Sequence, residues 1–147
     1  MKILAENKKV GYDYKILETH EAGLVLYGHE VKAIKTGRVS LAGSYVVSKD
    51  NEFYLINALI PPYQPANTPK DYDPQRSRKL LLKKSEISSL IGKSKAKGLT
   101  LVPLRIYTRK SRIKLEFGLG KGKRKADKRE VIKKRDMERE IGRKLRG

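Results

Sequence analysis

Apolar and polar residues follow a strand-like pattern in six short stretches of the chain. These stretches are residues 7–18, 24–27, 44–48, 52–59, 99–107 and 112–118. Lys49, Asp50 and Asn51 predict a hairpin turn between two of them, and the TRKSR sequence at 108–112 predicts a basic hairpin between the last two. Because proline has no amide N–H, Pro103 predicts a bulge or an edge position in its strand. Residues 20–23 are predicted as a turn.

Two stretches have helical rather than strand-like spacing. Residues 29–36 place Val31 and Ile34 three positions apart, and this helix is predicted to end at Gly37. Glu30 is expected on its exposed face. A second helix is predicted from a cap at Ser85 to an end at Gly98. Five of the six prolines fall within residues 61–74, which predicts a long irregular connection between the two helices.

Together these elements predict a mainly β fold with two or three helices. Strands and helices do not alternate regularly, which argues against a doubly wound parallel sheet. The expected architecture is a small antiparallel barrel of about six strands, of the oligonucleotide-binding (OB) type, with helices at its ends. We expect the barrel to span residues 1–120 and a separate basic tail to span residues 121–147.

The tail is strongly basic but not random. Residues 121–147 hold 13 Lys and Arg against 5 Asp and Glu. Asp127 with Glu130 is typical of a helix start, and Glu130 with Lys134 has the i,i+4 spacing of a helix-stabilising ion pair. Only Val131, Met137, Ile141 and Leu145 would form an apolar stripe on this helix. With so little apolar surface to bury, the free helix would have marginal stability. Composition leaves two interpretations open: a solvated tail, or a tail that becomes helical against an anionic partner.

Charge narrows the class of partner. The 147 residues carry a formal net charge of +19 with a pI near 10.1, which favours nucleic acid first and an anionic membrane second. A membrane fits less well because the sequence has no apolar run of 18 residues. With no cysteine, a disulfide framework is excluded. We expect a cytoplasmic, polyanion-binding protein.

Catalytic chemistry has little support in the sequence. His20 and His29 lack metal-ligand spacing, and no P-loop or dinucleotide-binding loop is present. The run from Gly118 to Gly122 is interpreted as a flexible exit after the last strand. We therefore expect no cofactor, no metal and no enzymatic activity.

Basic and aromatic residues are interleaved in three patches, at residues 8–14, 63–79 and 107–114. This is the pattern expected for RNA binding. The candidate contacts drawn from the later two patches are Arg76, Arg78 and Lys110. Composition cannot separate an RNA-binding adaptor from a structural ribosomal protein that binds rRNA. A barrel-based nuclease is a weaker alternative, because it needs a carboxylate cluster for metal binding.

Several stretches, taken together and in order, resemble one family over nearly the whole chain. They are NKK at 7–9, HEAGLVLYGHEVKAIKTGRVSLAGSYV at 20–46, DPQRSRKLLL at 73–82, KGLTLVPLRIY at 97–107 and GKGKRKADKREVIKKRDMERE at 120–140. In these segments the chain resembles the SmpB (SsrA-binding) proteins.

The resemblance implies an OB-fold protein that binds the tRNA-like domain of transfer-messenger RNA and brings it to stalled ribosomes for rescue by trans-translation. It implies that the tail occupies the empty decoding site and the mRNA channel, and that elongation factor Tu joins the delivery complex. It implies no catalysis.

The family's RNA-binding positions match Glu21, Leu81 and Lys114 here, with Asn7 and Lys8 flanking the same surface. Leu81 fits either an apolar platform under a base or a place in the core. The tail positions expected at the decoding site are Gly122, Lys123, Arg124, Asp127, Lys128 and Arg129. Many members carry an aromatic residue or His just before that Asp, where this chain has Ala126.

Overall fold

The computed structural model describes residues 1–96 and 98–123. Over these residues the strands and helices follow in the order β1 (Lys2–Glu6), α1 (Val10–Asp13), β2 (Tyr14–Leu24), α2 (Gly28–Lys35), β3 (Tyr45–Lys49), β4 (Glu52–Ile56), β5 (Arg78–Leu81), α3 (Lys84–Ser94), β6 (Leu99–Arg109) and β7 (Arg112–Gly122). A single 3₁₀ turn, Pro65–Asn67, lies in the proline-rich connection.

The strands form one antiparallel sheet that curls into a barrel. Its order is β1-β6-β7-β2-β5-β4-β3, and the edge strand β3 comes back against β6. The inner face holds the core, which includes Phe53, Leu55, Ile106, Leu115 and Phe117, each fully buried. The predicted mainly β barrel with helices is therefore confirmed, with seven described strands in place of about six.

Both predicted hairpins are present and have the same kind of turn. Asp50 and Asn51 join β3 to β4, while Lys110 and Ser111 join β6 to β7, and all four residues have positive φ. Two successive positive φ angles are typical of the two-residue turns that match the twist of antiparallel strands. The turns therefore fix the register of both hairpins, and they hold Lys110 at an exposed tip.

The N-terminal part of the chain differs most from expectation. Residues 2–6 form β1, which pairs with β6 and was not predicted. The predicted strand at 7–18 is divided, because Val10–Asp13 is a short helix and β2 begins only at Tyr14. The predicted turn at 20–23 is wrong: these residues continue β2 and pair with β7.

Two irregularities bend the long strands. The register of β6 against β7 shifts between Pro103 and Arg105, so of the bulge or edge position predicted at Pro103 it is the bulge that is present. A second shift occurs in β2 between Ile16 and Glu18, and it leaves Leu17 half exposed. Bulges of this kind increase local twist, which helps strands of 11 residues curl around a small core.

The glycines of the 118–122 run lie within a strand, so their interpretation as a flexible exit is wrong. Gly118 and Gly120 belong to β7 and pair with both β2 and β6. A Cβ atom on Gly118 would come within 2.9 Å of the Ile16 side chain and 3.2 Å of the Glu18 carbonyl oxygen. The glycines therefore permit close packing between β7 and β2 rather than freedom of the chain.

Both predicted helices exist, with corrected ends. The α3 helix begins at Lys84 and ends at Ser94; Ser85 is not its cap, and the Glu86 carboxylate accepts the Lys83 backbone N–H at 3.4 Å. In α2 the carboxylate of Glu30 accepts the Tyr27 N–H at 2.8 Å. Glu30 is completely buried, so its predicted position on an exposed helix face is wrong.

Candidate nucleic-acid interface

Four residues form a row across the outer face of the barrel. Lys114 of β7 pairs with Tyr107 of β6 on one side and with Gly23 of β2 on the other, and Gly23 pairs in turn with Leu81 of β5. Residues paired across antiparallel strands point to the same face of the sheet. The sheet thus brings together Lys114 and Leu81, two residues predicted as RNA contacts from separate segments.

Glu21 lies beside this row, two residues before Gly23 on the same face. Its carboxylate accepts a short hydrogen bond from the Tyr107 hydroxyl and pairs with the Arg109 guanidinium at 3.3 Å. Burial and the neighbouring Glu21 carboxylate together raise the pKa of the Tyr107 hydroxyl, which therefore stays protonated and donating. We call Glu21, Tyr107 and Arg109 the outer cluster. This cluster holds the Arg109 guanidinium at the edge of the row.

Leu81 is 55% exposed, so it does not lie in the core. The second of its two predicted roles is therefore wrong. The side chain lies over Gly23, where an added Cβ would be 3.3 Å from Leu81 Cβ. A large apolar side chain held on a flat glycine and left open to solvent has the form expected of a platform for a base or sugar.

A second cluster forms beneath the proline-rich connection. The buried Glu30 carboxylate accepts hydrogen bonds from the guanidinium groups of Arg76 and Arg78 and, at 3.0 Å, from the Tyr72 hydroxyl. Arg78 also donates to the carbonyl oxygens of Ala58 and Pro74, at 2.7 and 3.0 Å. We call Glu30, Tyr72, Arg76 and Arg78 the inner cluster.

Protonation in the inner cluster follows from these contacts. Burial would by itself raise the pKa of the Glu30 carboxyl, but hydrogen bonds from Arg76, the Tyr27 backbone and Arg78 outweigh it, so this pKa lies below its ordinary value. Burial and the adjacent Glu30 carboxylate raise the pKa of Tyr72 to about 12. Glu30 is therefore ionised and Tyr72 neutral at physiological pH.

The inner cluster corrects one predicted RNA contact. Arg78 is fully buried and its guanidinium is occupied by protein acceptors, so it has no surface from which to reach a phosphate. Its role is to tie β5 to α2 and to the proline-rich connection. Arg76 stays partly exposed: it pairs with Glu30, and its guanidinium carbon lies 4.1 Å from the centre of the Tyr27 ring.

The other predicted contacts are spread over the barrel. Lys110 is exposed at the tip of the β6–β7 hairpin, close to the row. Asn7 is tied to the bulge in β6, donating its side-chain amide to the Pro103 carbonyl oxygen at 3.1 Å, and Lys8 beside it is exposed. Asn7 and Lys8 thus lie several residues along β6 from the row, as flanking positions.

The first tail residues remain attached to the barrel. Gly122 pairs with Tyr14 as the last residue of β7, two positions beyond the expected boundary at 120. Lys123 donates its backbone N–H to the Asp13 carbonyl oxygen at 2.9 Å and its Nζ to the Gly11 carbonyl oxygen at 2.7 Å. The remaining predicted decoding-site positions, Arg124, Asp127, Lys128 and Arg129, lie outside the described residues, as does Ala126.

Within residues 1–96 and 98–123, no three metal-ligating side chains come together. In the same part of the chain, no helix is long and apolar enough to cross a membrane.

Sequence reasoning missed two residues of this region. Glu30 precedes the buried Ala33 and Ile34 by three and four positions, which places it on the apolar face of α2; that spacing was a usable signal. His29 lies in a pocket between α2 and the proline-rich connection. For His29 no local pattern was available, because the pocket depends on how that irregular segment folds.

A family model described as SmpB protein matches residues 4–147. The chain belongs to the SmpB family. This confirms the resemblance carried by the sequence motifs.

Relatives in the SmpB family are similar over almost their full length. The SsrA-binding protein of Cupriavidus necator is 52% identical over 144 residues, covering 98% of this chain and 96% of the relative. The SsrA-binding protein of Sulfurihydrogenibium sp. is 50% identical, covering 99% and 95%. That of Geobacillus kaustophilus is 49% identical, covering 99% and 93%.

A solved structure agrees with the fold of this SmpB family member. The matching chain comes from a structure described as "tmRNA-SmpB: a journey to the center of the bacterial ribosome". It is 45% identical, superposes with a TM-score of 0.67, and the match covers 86% of this chain and 92% of that one.

Proposed function

We propose that this protein binds transfer-messenger RNA through the outer row and delivers it to stalled ribosomes for trans-translation. The observation that carries the proposal is the row itself: Lys114 and the exposed Leu81 meet across Gly23, beside the outer cluster. The names of the relatives and of the matching structure support transfer-messenger RNA as the ligand.

Each part of the row has a chemistry suited to folded RNA. Lys114, Arg109, Lys110 and Arg112 supply positive charge on and around the β6–β7 hairpin, and phosphate contacts from such residues position an RNA without reading its sequence. Leu81 supplies an apolar surface for an unpaired base or a sugar. Glu21 holds Tyr107 and Arg109 in place, so little side-chain entropy is lost when the RNA binds.

The protein would act by binding, as a cytoplasmic adaptor without catalytic groups. Residues Arg124 to Arg129 would enter the vacant decoding site, and the chain beyond them would lie in the mRNA channel. Gly122 and Lys123, which were also expected at the decoding site, would instead hold the start of the tail on the barrel. Elongation factor Tu would accompany the complex. The bonds of Lys123 to α1 support this arrangement, since they define the point on the barrel from which the tail departs.

Lys114→Ala tests the row. Loss of one phosphate contact should weaken binding of transfer-messenger RNA by about tenfold at low salt. It should also reduce the slope of log affinity against log salt by roughly one unit or less. Filter binding at several salt concentrations measures both quantities.

Lys49→Ala is the matched control, because Lys49 is an exposed lysine at the end of β3, a strand that carries none of the residues of the row. Equal losses for the two variants would show that only net charge matters, and the row would not be the RNA site.

Delivery is tested separately by removing residues 124–147. The shortened protein should bind transfer-messenger RNA with nearly unchanged affinity but should not support peptide tagging in a reconstituted translation system. Tagging at the normal rate would refute the role proposed for the tail while leaving RNA binding by the barrel intact.

A further inference from the structure

A pocket of about 570 Å³ opens between the start of α2 and the proline-rich connection. Its lining includes Tyr27, His29, Asp71, Tyr72, Asp73 and Arg76. We call it the Tyr27 pocket. Its volume lies within the range of small-ligand sites in proteins. The outer row does not use it, so its lining needs a separate explanation.

The walls of the Tyr27 pocket are aromatic and held in place. The Tyr72 ring meets the His29 ring edge-on, with centroids 4.6 Å apart, and the His29 and Tyr27 centroids are 5.8 Å apart. The Arg76 guanidinium packs on the Tyr27 ring while it is bonded to Glu30 and to the Val25 carbonyl oxygen. Tyr27 is nevertheless 54% exposed, so a large part of its ring is open to a ligand.

The polar groups of the Tyr27 pocket are mostly acceptors. Asp71 and Asp73 contribute carboxylates, which repel phosphate but accept hydrogen bonds from amino groups. His29 Nδ1 is the only buried side-chain nitrogen or oxygen without a partner among the described residues. Buried polar atoms are usually paired, so this nitrogen points to a missing partner. Aromatic walls combined with polar acceptors suit a flat group that carries N–H donors.

The Tyr27 pocket lies a short distance along the chain from the proposed RNA surface. Val25 and Tyr27 follow Gly23 along the chain, and both side chains are exposed. The Val25 N–H donates to the Lys79 carbonyl oxygen, two residues before Leu81. From Gly23 to Tyr27 is four residues, no more than about 13 Å of extended chain. An RNA lying on the row therefore reaches the mouth of the pocket.

We propose that the Tyr27 pocket holds one unstacked nucleobase of the bound RNA, with Tyr27 as the stacking surface and Asp71 at the base edge. The base carries an exocyclic amino group, as adenine, cytosine and guanine do and uracil does not. Stacking on a tyrosine ring and hydrogen bonding to base edges are the usual means by which proteins recognise unpaired RNA. This inference rests on the proposed function, because it takes the RNA on the row as the source of the base.

Tyr27→Ala tests the stacking. The Tyr27 side chain makes no capping hydrogen bond to α2 and is largely exposed, so the fold should be retained. Affinity for transfer-messenger RNA should fall roughly 5- to 100-fold, the range found when a stacked aromatic is removed, with an unchanged salt slope. Tyr27→Phe keeps the ring and should restore most of the affinity.

Asp71→Asn tests the base edge with a result that general electrostatics cannot give. Removing a negative charge should strengthen binding to a polyanion, whereas replacing a charged carboxylate acceptor by a neutral amide should weaken the hydrogen bond to a base amino group. Asp50→Asn in the β3–β4 turn is the matched control, since Asp50 is also exposed but does not line the Tyr27 pocket. We expect weaker binding for Asp71→Asn only.

Chemical probing of the complex at saturating protein gives the direct result. Dimethyl sulfate modifies unpaired adenine and cytosine, and kethoxal modifies unpaired guanine, at the edges proposed to enter the pocket. One base should be protected by the wild-type protein and reactive in the Tyr27→Ala complex. Identical protection patterns and equal affinities would overturn the proposal in favour of a pocket that serves a protein partner or none. If the wild-type protein bound no transfer-messenger RNA at all, the proposed function itself would fail instead.

Discussion

The inner and outer clusters are built from the same three side-chain types, a glutamate, a tyrosine and arginine, but they differ in exposure. Glu30 and Arg78 of the inner cluster are fully buried. In the outer cluster the Glu21 side chain is 31% exposed and that of Arg109 58%. A buried ion pair cannot lose one partner without stranding a charge, whereas an exposed pair exchanges protein contacts for water. The same chemistry therefore supports the fold in one place and remains available to a ligand in the other.

The largest effect should come from breaking the inner cluster. Arg78→Ala removes the fully buried partner of the Glu30 carboxylate, together with the hydrogen bonds to Ala58 and Pro74, and should lower the free energy of unfolding by about 3–5 kcal/mol. Urea denaturation followed by circular dichroism measures the loss. Arg109→Ala, the corresponding change in the outer cluster, should cost less than about 1 kcal/mol. Similar losses for the two variants would remove the distinction between the clusters.

The dependence of stability on pH should give the next largest effect. The pKa of Glu30 is depressed in the folded protein, so its stabilising contribution is present above the unfolded value of 4.5 and is lost as pH falls through the folded pKa. Glu30→Gln should therefore flatten the fall in the free energy of unfolding below pH 4.5. Urea midpoints measured between pH 3 and 6 would show this.

The control for the acid experiment is Glu18→Gln. Hydrogen bonds from Lys93 and His20 lower the pKa of Glu18 as well, but this carboxylate lies near the surface. Its contribution should be small because exposed ion pairs are screened by solvent. If the pH dependence of the urea midpoint changed as much for Glu18→Gln as for Glu30→Gln, burial would not be the cause of the effect at Glu30.

Replacing Glu21 should have a smaller effect on stability than replacing Glu30, and it should separately lower the affinity for RNA. Glu21→Gln should change the free energy of unfolding by less than about 1 kcal/mol, since the amide still accepts from the Tyr107 hydroxyl. Affinity for transfer-messenger RNA should nevertheless fall about threefold to tenfold, because Arg109 loses the charge that positions it. Tighter RNA binding would show that Glu21 acts only as a repulsive charge.

Salt should have the smallest effect. The stability difference between the wild type and Arg109→Ala should disappear in 1 M salt, where the screening length is about 3 Å. The difference between the wild type and Arg78→Ala should persist, since water and ions do not reach the buried pair. Urea denaturation at low and high salt would test both expectations.

Local pattern was enough to predict the hairpins, the two longer helices and the bulge at Pro103. Each of these depends on residues close together in sequence: a two-residue turn, a 3.6-residue period, or one missing N–H. The strand β1 could not be found in this way, because five residues at the N-terminus become a strand only through pairing with β6, about 100 residues away.

The sequence proposed several members of the candidate site but could not give their arrangement. Leu81 and Lys114 came from family motifs, and only the register of β5, β2 and β7 shows that they share one row. Arg76 and Arg78 look equivalent in the sequence, yet one is partly exposed and the other fully buried. Their difference is set by tertiary burial around Glu30, which no local pattern reports.

The pairing of β2 with β7 also has a consequence for synthesis. Tyr14 pairs with Gly122, which is synthesised much later, whereas β3 and β4 are joined by a two-residue turn. During translation the hairpin can form early, but β2 keeps an unpaired edge until the last third of the chain has left the exit tunnel. Contacts so distant in sequence slow folding, and an open strand edge invites association with other chains. A message broken before the codons for β7 would thus encode a barrel that cannot close.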